Sequence, residues 1–126
     1  MDKLSRAHED YLEAIAMLGG STECAVRPVD LAEKMDVSKA SVTKAIGILR
    51  EKGLVEQPRY GDITLTQAGN TYAQAVLERH QLLFRFLTQE VGIPEEQASK
   101  EACLMEHAIS DESFEKWINY LKRLEG

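Results

Sequence analysis

The chain has 126 residues, 44% of them hydrophobic and 29% charged, with a formal net charge of −6. That length supports one sizeable core or two small subdomains and excludes a larger multidomain machine. No apolar run approaches the roughly 18 residues of a membrane span, and the start, "MDKLSRAHEDYLEAI", lacks the apolar core of a signal peptide, so a cytoplasmic protein is expected.

In chain order, Leu4, Tyr11, Leu12, Ile15 and Leu18 share one helical face, and "GGST" at 19–22 ends that helix. A short amphipathic helix is expected from about Pro28 to Met35, then a turn at Asp36 and Val37, then a longer helix from Ser38 to Lys52. Ser38 is the N-cap residue type and Gly53 suits the C-terminal stop. Two short helices across a tight turn form a helix-turn-helix pattern, with Lys39, Ser41, Thr43 and Lys44 directed outward and Val42, Ile46 and Leu49 inward. After Gly53, "LVEQPRYGDITLTQAG" predicts two short strands around a turn at Tyr60, Gly61 and Asp62, the pattern of a wing.

The next helix is expected from Gln67 to about Glu90, carrying Tyr72, Val76, Leu77, Leu83, Phe84 and Leu87, and "GIP" at 92–94 ends it. Two more follow, from about Glu95 to Ile109 and from Ser113 to Leu124, the last with Phe114, Trp117, Ile118, Leu121 and Leu124 at helical spacing. The expected fold is mainly α: a winged helix-turn-helix domain over residues 1–71, followed by a helical domain over 72–126.

Charge is unevenly placed along this framework. Between Val37 and Arg59, Lys39, Lys44, Arg50, Lys52 and Arg59 stand against Glu51 and Glu56, so this stretch is +3 and the remainder −9. A basic face on an acidic body is compatible with DNA binding. Arg59 and Tyr60 on the wing are expected to approach phosphates, while Lys39, Ser41, Thr43 and Lys44 lie in or beside the major groove.

Cys24 and Cys103 are too few and too distant for a disulfide framework, which leaves free thiols or metal ligands. In "CLMEHAIS" at 103–110, Cys103, Glu106 and His107 stand at i, i+3 and i+4 and converge on one patch of a helix. Taken singly, each has an ordinary explanation: Cys103 a small buried hydrophobe, Glu106 a solvated acid, His107 a hydrogen-bonded interface residue. Asp10 and Glu13 form a similar i, i+3 pair that would ordinarily face solvent, and His80 is a lone histidine in the middle of a long helix. Three such groups on three helices of one small chain are less ordinary.

The ordered set "EDYLEAI" at 9–15, "VSKASVTKAIGILREKGLV" at 37–55, "LTQAG" at 65–69, "RHQLL" at 79–83 and "CLMEHAIS" resembles the metal-dependent transcriptional regulators of the diphtheria toxin repressor and manganese transport regulator family. The resemblance covers nearly the whole chain. It implies a winged helix-turn-helix domain, a helical metal-binding and dimerisation domain, and a divalent ion, Mn(II) or Fe(II), that favours the DNA-binding conformation. A homodimer on a pseudo-palindromic operator follows, and with the chain ending at Gly126 no SH3-like third domain is expected. The family's metal positions fall on Asp10, Glu13, His80, Cys103, Glu106 and His107. The manganese branch normally has Glu at the position of Cys103; the iron branch has Cys there but Met at the position of Asp10. The iron branch's extra Glu, four residues after the histidine, is Phe84 here. Carboxylate and imidazole suit Mn(II) and Fe(II), whereas a thiolate moves preference towards softer ions.

Two rival functions are a metal-independent winged-helix regulator sensing another ligand, and an enzyme using Cys103 as nucleophile and His107 as base. The enzyme is disfavoured because both residues lie on one helical turn with no third orienting group and no oxyanion loop. Cys24 is expected to be an incidental loop thiol.

Overall fold

The computed structural model describes residues 4–59 and 61–125. Tyr60, expected on the wing, lies outside the described residues. The chain forms two compact units, 1–76 and 77–126.

The first unit begins with α1, Arg6–Met17, capped by Ser5, whose side chain accepts from the His8 N–H. α2 is Pro28–Met35, with proline in the first turn where its missing N–H costs nothing, and α3 is Lys39–Glu51, capped by Ser38 accepting from the Ser41 N–H. The helix-turn-helix bend is made by Asp36 in the left-handed region (φ 54°, ψ 51°). Its N–H donates to the Glu33 carbonyl at 3.2 Å and the Val37 N–H to the Ala32 carbonyl at 3.1 Å, a Schellman pair that absorbs the last carbonyls of α2. α3 ends the same way: Gly53 (φ 74°) donates to Arg50 and Leu54 to Leu49, both at 3.0 Å. Both bends lie where the sequence placed them. Leu18, expected on the buried face of α1, is instead the C-cap residue and 38% exposed, because the helix has ended before it.

The wing pairs β1, Val55–Glu56, antiparallel with β2, Thr64–Leu65, in the register Val55 to Leu65 and Glu56 to Thr64. A bridge between Val26 and Ile63 adds a third extended segment. Thr66 then joins the wing to α4, Gln67–Arg85: its hydroxyl donates to the Gly53 carbonyl (2.6 Å) and accepts from the Gly69 N–H (3.0 Å). Gly69 lies so close that a Cβ there would overlap the Leu54 carbonyl oxygen, so only glycine lets α4 meet the backbone just before β1. Leu12, Ile15, Leu31, Val42, Ile46, Leu49, Leu54, Val55 and Ile63 form the core, each at most 2% exposed. Full burial of one such side chain stabilises by about 1.5–3 kcal/mol.

The division between units falls within α4. In the second unit the chain was expected to remain α-helical to about Glu90; instead Phe86–Val91 is π-helical, ending at Gly92 (φ 86°). The Thr88 hydroxyl donates to the Phe84 carbonyl (2.9 Å) and also approaches that of Arg85 (3.3 Å), supplying a side-chain alternative to the regular ladder. α5, Glu95–Ala108, and α6, Asp111–Glu125, complete the unit. Its core is Leu82, Leu83, Leu87, Ala98, Ala102, Phe114 and Leu121. Trp117 is half-buried against it, edge-on to Phe86 at 6.2 Å. Leu104, Tyr120 and Leu124 remain about half exposed. No helix among the described residues is long and apolar enough to cross a membrane.

Candidate metal centre and nucleic-acid surface

α5 and α4 bring four of the six expected ligands together inside the second unit. The ligand atoms of Cys103, Glu106 and His107 on α5 lie within 4.8 Å of one another. His80 on α4 faces the same carboxylate: its Nδ1 and the His107 Nε2 are each 3.8 Å from the Glu106 Oε1. Glu106 is therefore not the solvated acid its sequence context suggested. It is 4% exposed, and among the described residues neither of its oxygens accepts a hydrogen bond.

A carboxylate in that position is costly unless something positive completes it, since leaving a buried acceptor unsatisfied costs about 1–3 kcal/mol. Two donors at about 2.1 Å from a common ion can be at most about 4.2 Å apart, and a sulfur donor at about 2.3 Å extends this to about 4.4 Å. The 3.8 Å separations of both imidazoles from the Glu106 carboxylate fall inside that limit, and together with the Cys103 thiol the donor types suit a divalent transition metal. The Phe84 ring lies 6.4 Å from the His80 ring and within 9° of parallel, an apolar group where the resembled iron branch carries an acid.

In the first unit, α1 carries Asp10, half-buried, and Glu13, 8% exposed. Glu13 does not face solvent as helical acids ordinarily do. Glu9, not singled out from the sequence, is more buried still at 3%, and accepts from the Tyr72 hydroxyl at 2.9 Å. One pattern could have revealed it: Glu9 and Glu13 are one turn apart on a stripe flanked by the core positions Leu12 and Ile15. The neighbouring Tyr11 phenol is pushed up from its ordinary range by burial.

The basic surface lies on α3 and the wing. Lys39, Ser41, Thr43, Lys44, Arg50 and Arg59 are all exposed, while Val42, Ile46 and Leu49 are buried as expected. Among the described residues neither Lys39 nor Lys44 makes an ion pair, so both ammonium groups face outward uncommitted. The hydroxyls are partly used at home: Ser41 accepts from Ser38 at 3.0 Å, and Thr43 donates to the Lys39 carbonyl at 3.0 Å. Arg27 is held by Asp30 through bonds of 2.9 and 3.0 Å, and that guanidinium keeps the Asp30 carboxyl below its ordinary range. Cys24 is exposed in the loop before α2.

Comparison with known proteins finds matches for both halves of the chain. Residues 3–63 match the iron-dependent repressor N-terminal DNA-binding domain, and residues 66–126 match the iron-dependent repressor metal-binding and dimerisation domain. An HTH-type transcriptional regulator of Methanocaldococcus jannaschii is 32% identical over 95% of this chain and 96% of its own length. The transcriptional regulator MntR of Escherichia coli is 36% identical over 85% of this chain and 68% of its own. A manganese-dependent transcriptional repressor solved in complex with manganese superposes with a TM-score of 0.78 at 34% identity, covering 91% of this chain and about half (52%) of that one. With both family domains matched in order and nearly end to end, the chain belongs to the iron-dependent repressor family of metal-dependent, DNA-binding transcriptional regulators.

Proposed function

We propose that this chain is a metal-activated repressor serving Mn(II) or Fe(II) homeostasis, acting in the cytoplasm as a homodimer on a pseudo-palindromic operator. The observation that carries this reading is Glu106, a buried acid with no hydrogen-bond donor among the described residues, set between two imidazoles and beside a thiol. His80, Cys103, Glu106 and His107 would hold the ion, with Asp10 and Glu13 supplying further carboxylates from α1. When bound, a divalent ion supplies positive charge that offsets these acids and joins groups from separate helices. The separate helices make such a site a linkage device, because ligands contributed by residues 1–71 and 72–126 favour one arrangement of the DNA-binding units over others.

On the DNA side, Lys39, Ser41, Thr43 and Lys44 present the recognition helix to the major groove, and Arg59 with Tyr60 presents the wing to the phosphate backbone. A homodimer offers two such helices and therefore calls for an inverted repeat. The surface available for self-association in the second unit is supported by Leu104, Tyr120 and Leu124. Leu121, on the same helix as Tyr120 and Leu124, is 2% exposed and already occupied in the core.

The test is selection from random double-stranded DNA, followed by anaerobic anisotropy titrations of the selected duplex with Mn(II), Fe(II), Co(II) and Zn(II). Binding that appears only with metal, to a sequence with inverted half-sites, is expected. Equal sequence-specific affinity in chelator and in every metal would sink the reading in favour of a metal-independent regulator.

A further inference from the structure

We infer that Tyr72 is a positioning residue for metal binding, acting through Glu9 on the α1 carboxylates; this rests on the assignment of Asp10 and Glu13 as ligands made above. Within the first unit the Tyr72 hydroxyl donates to the Glu9 Oε2 at 2.9 Å and accepts from the Leu4 N–H at 3.3 Å. Leu4 is itself 4% exposed, so one hydroxyl joins the entry to α1 and the first turn of that helix to a single point on α4. A partly buried bond to a carboxyl group is among the stronger hydrogen bonds available to a phenol.

Its consequence follows from helical geometry. Glu9 and Glu13 lie on one stripe, a turn apart, and Asp10 lies beside them, so whatever fixes the direction of Glu9 fixes the rotation of α1 about its own axis. A rotation of about 20° moves a group carried about 6 Å from a helix axis by about 2 Å. Metal–ligand distances tolerate only about 0.2 Å. Packing of Leu12 and Ile15 limits coarse rotation of α1, and the directional Tyr72 bond adds the finer constraint on how Asp10 and Glu13 are presented.

The experiment is Mn(II) calorimetry on the chelator-stripped full chain, run as a double-mutant cycle. Tyr72→Phe is expected to weaken Mn(II) affinity about 10-fold or more while circular dichroism stays native, in line with the effect of removing groups that orient ligands. Glu9→Gln, which keeps an oxygen acceptor for the phenol, is expected to retain affinity within a few-fold. In an Asp10→Asn, Glu13→Gln background, Tyr72→Phe is expected to add nothing. If that background binds Mn(II) as tightly as the parent, the ligand assignment fails and the inference falls with it. If the background is weakened but Tyr72→Phe changes nothing in the parent, only the positioning role is overturned. An equal loss from Tyr72→Phe in both backgrounds, with a shared fall in thermal midpoint, would also overturn it, because a general structural role predicts that. Should Tyr72→Phe unfold, Glu9→Ala set against Glu9→Gln carries the same comparison.

Discussion

Replacing Glu106 with Gln separates the demands of metal binding from those of folding. The side chain is 3% exposed, and two of its polar neighbours, the His80 Nδ1 and His107 Nε2, stand at 3.8 Å, beyond hydrogen-bonding range. Without metal its two buried oxygens have no hydrogen-bond donor among the described residues, which costs about 1–3 kcal/mol. Gln has nearly the same shape, removes the charge and adds an amide that can donate. Metal-free Glu106→Gln is accordingly expected to be more stable than the parent by about 1 kcal/mol or more, and in domains of 60–100 residues each kcal/mol corresponds to roughly 4–8 °C. With free metal at 100 times its Kd the order reverses, since the parent gains about 2.7 kcal/mol by linkage and the variant gains little. Paired thermal melts in chelator and in saturating Mn(II), at pH 8, test the crossing. A variant less stable than the parent in chelator would mean that Glu106 is a structural acid, and a variant that keeps the Mn(II)-induced rise would mean that it is not a ligand.

Further outcomes follow from other parts of the molecule. Lys44→Ala should weaken operator binding and lower the salt slope by about 1 while leaving Mn(II) affinity nearly unchanged, as expected for one lost phosphate contact on exposed α3; calorimetry and anisotropy on the same preparation check both halves. Cys103→Glu should shift activation from Fe(II) and Co(II) towards Mn(II), because it replaces a soft donor with a hard one, and a Cys103→Ala variant with every metal response intact would show that the thiol is packing. Gly69→Ala should destabilise the first unit by about 1–3 kcal/mol through overlap with the Leu54 carbonyl, read from urea unfolding, and an unchanged midpoint would contradict the close approach of α4 to the wing.

The local framework of this protein was legible in its sequence because it depends on short-range chemistry. Ser38 caps α3 and Gly53 stops it by satisfying backbone groups within a few residues, and the inward positions Val42, Ile46 and Leu49 follow from a helical period that needs no knowledge of what they pack against. The spacing of Cys103, Glu106 and His107 likewise placed three donors on one face of a helix. Other features depended on groups far apart in the chain. That Glu106 is buried without a hydrogen-bond donor among the described residues, and that His80 meets it at 3.8 Å, depends on α4 packing beside α5 inside the second unit. The bond from Tyr72 to Glu9 crosses 63 positions, and the need for glycine at 69 arises only from the carbonyl of Leu54 lying against it. Leu18 left its expected surroundings for the same reason: periodicity assigns a residue to a face, but where a helix ends is settled by packing. The π-helical turn at Phe86–Val91, where the Thr88 hydroxyl donates back to the Phe84 carbonyl, has no signature in hydrophobic period, because that period reports burial and not which carbonyl each N–H meets.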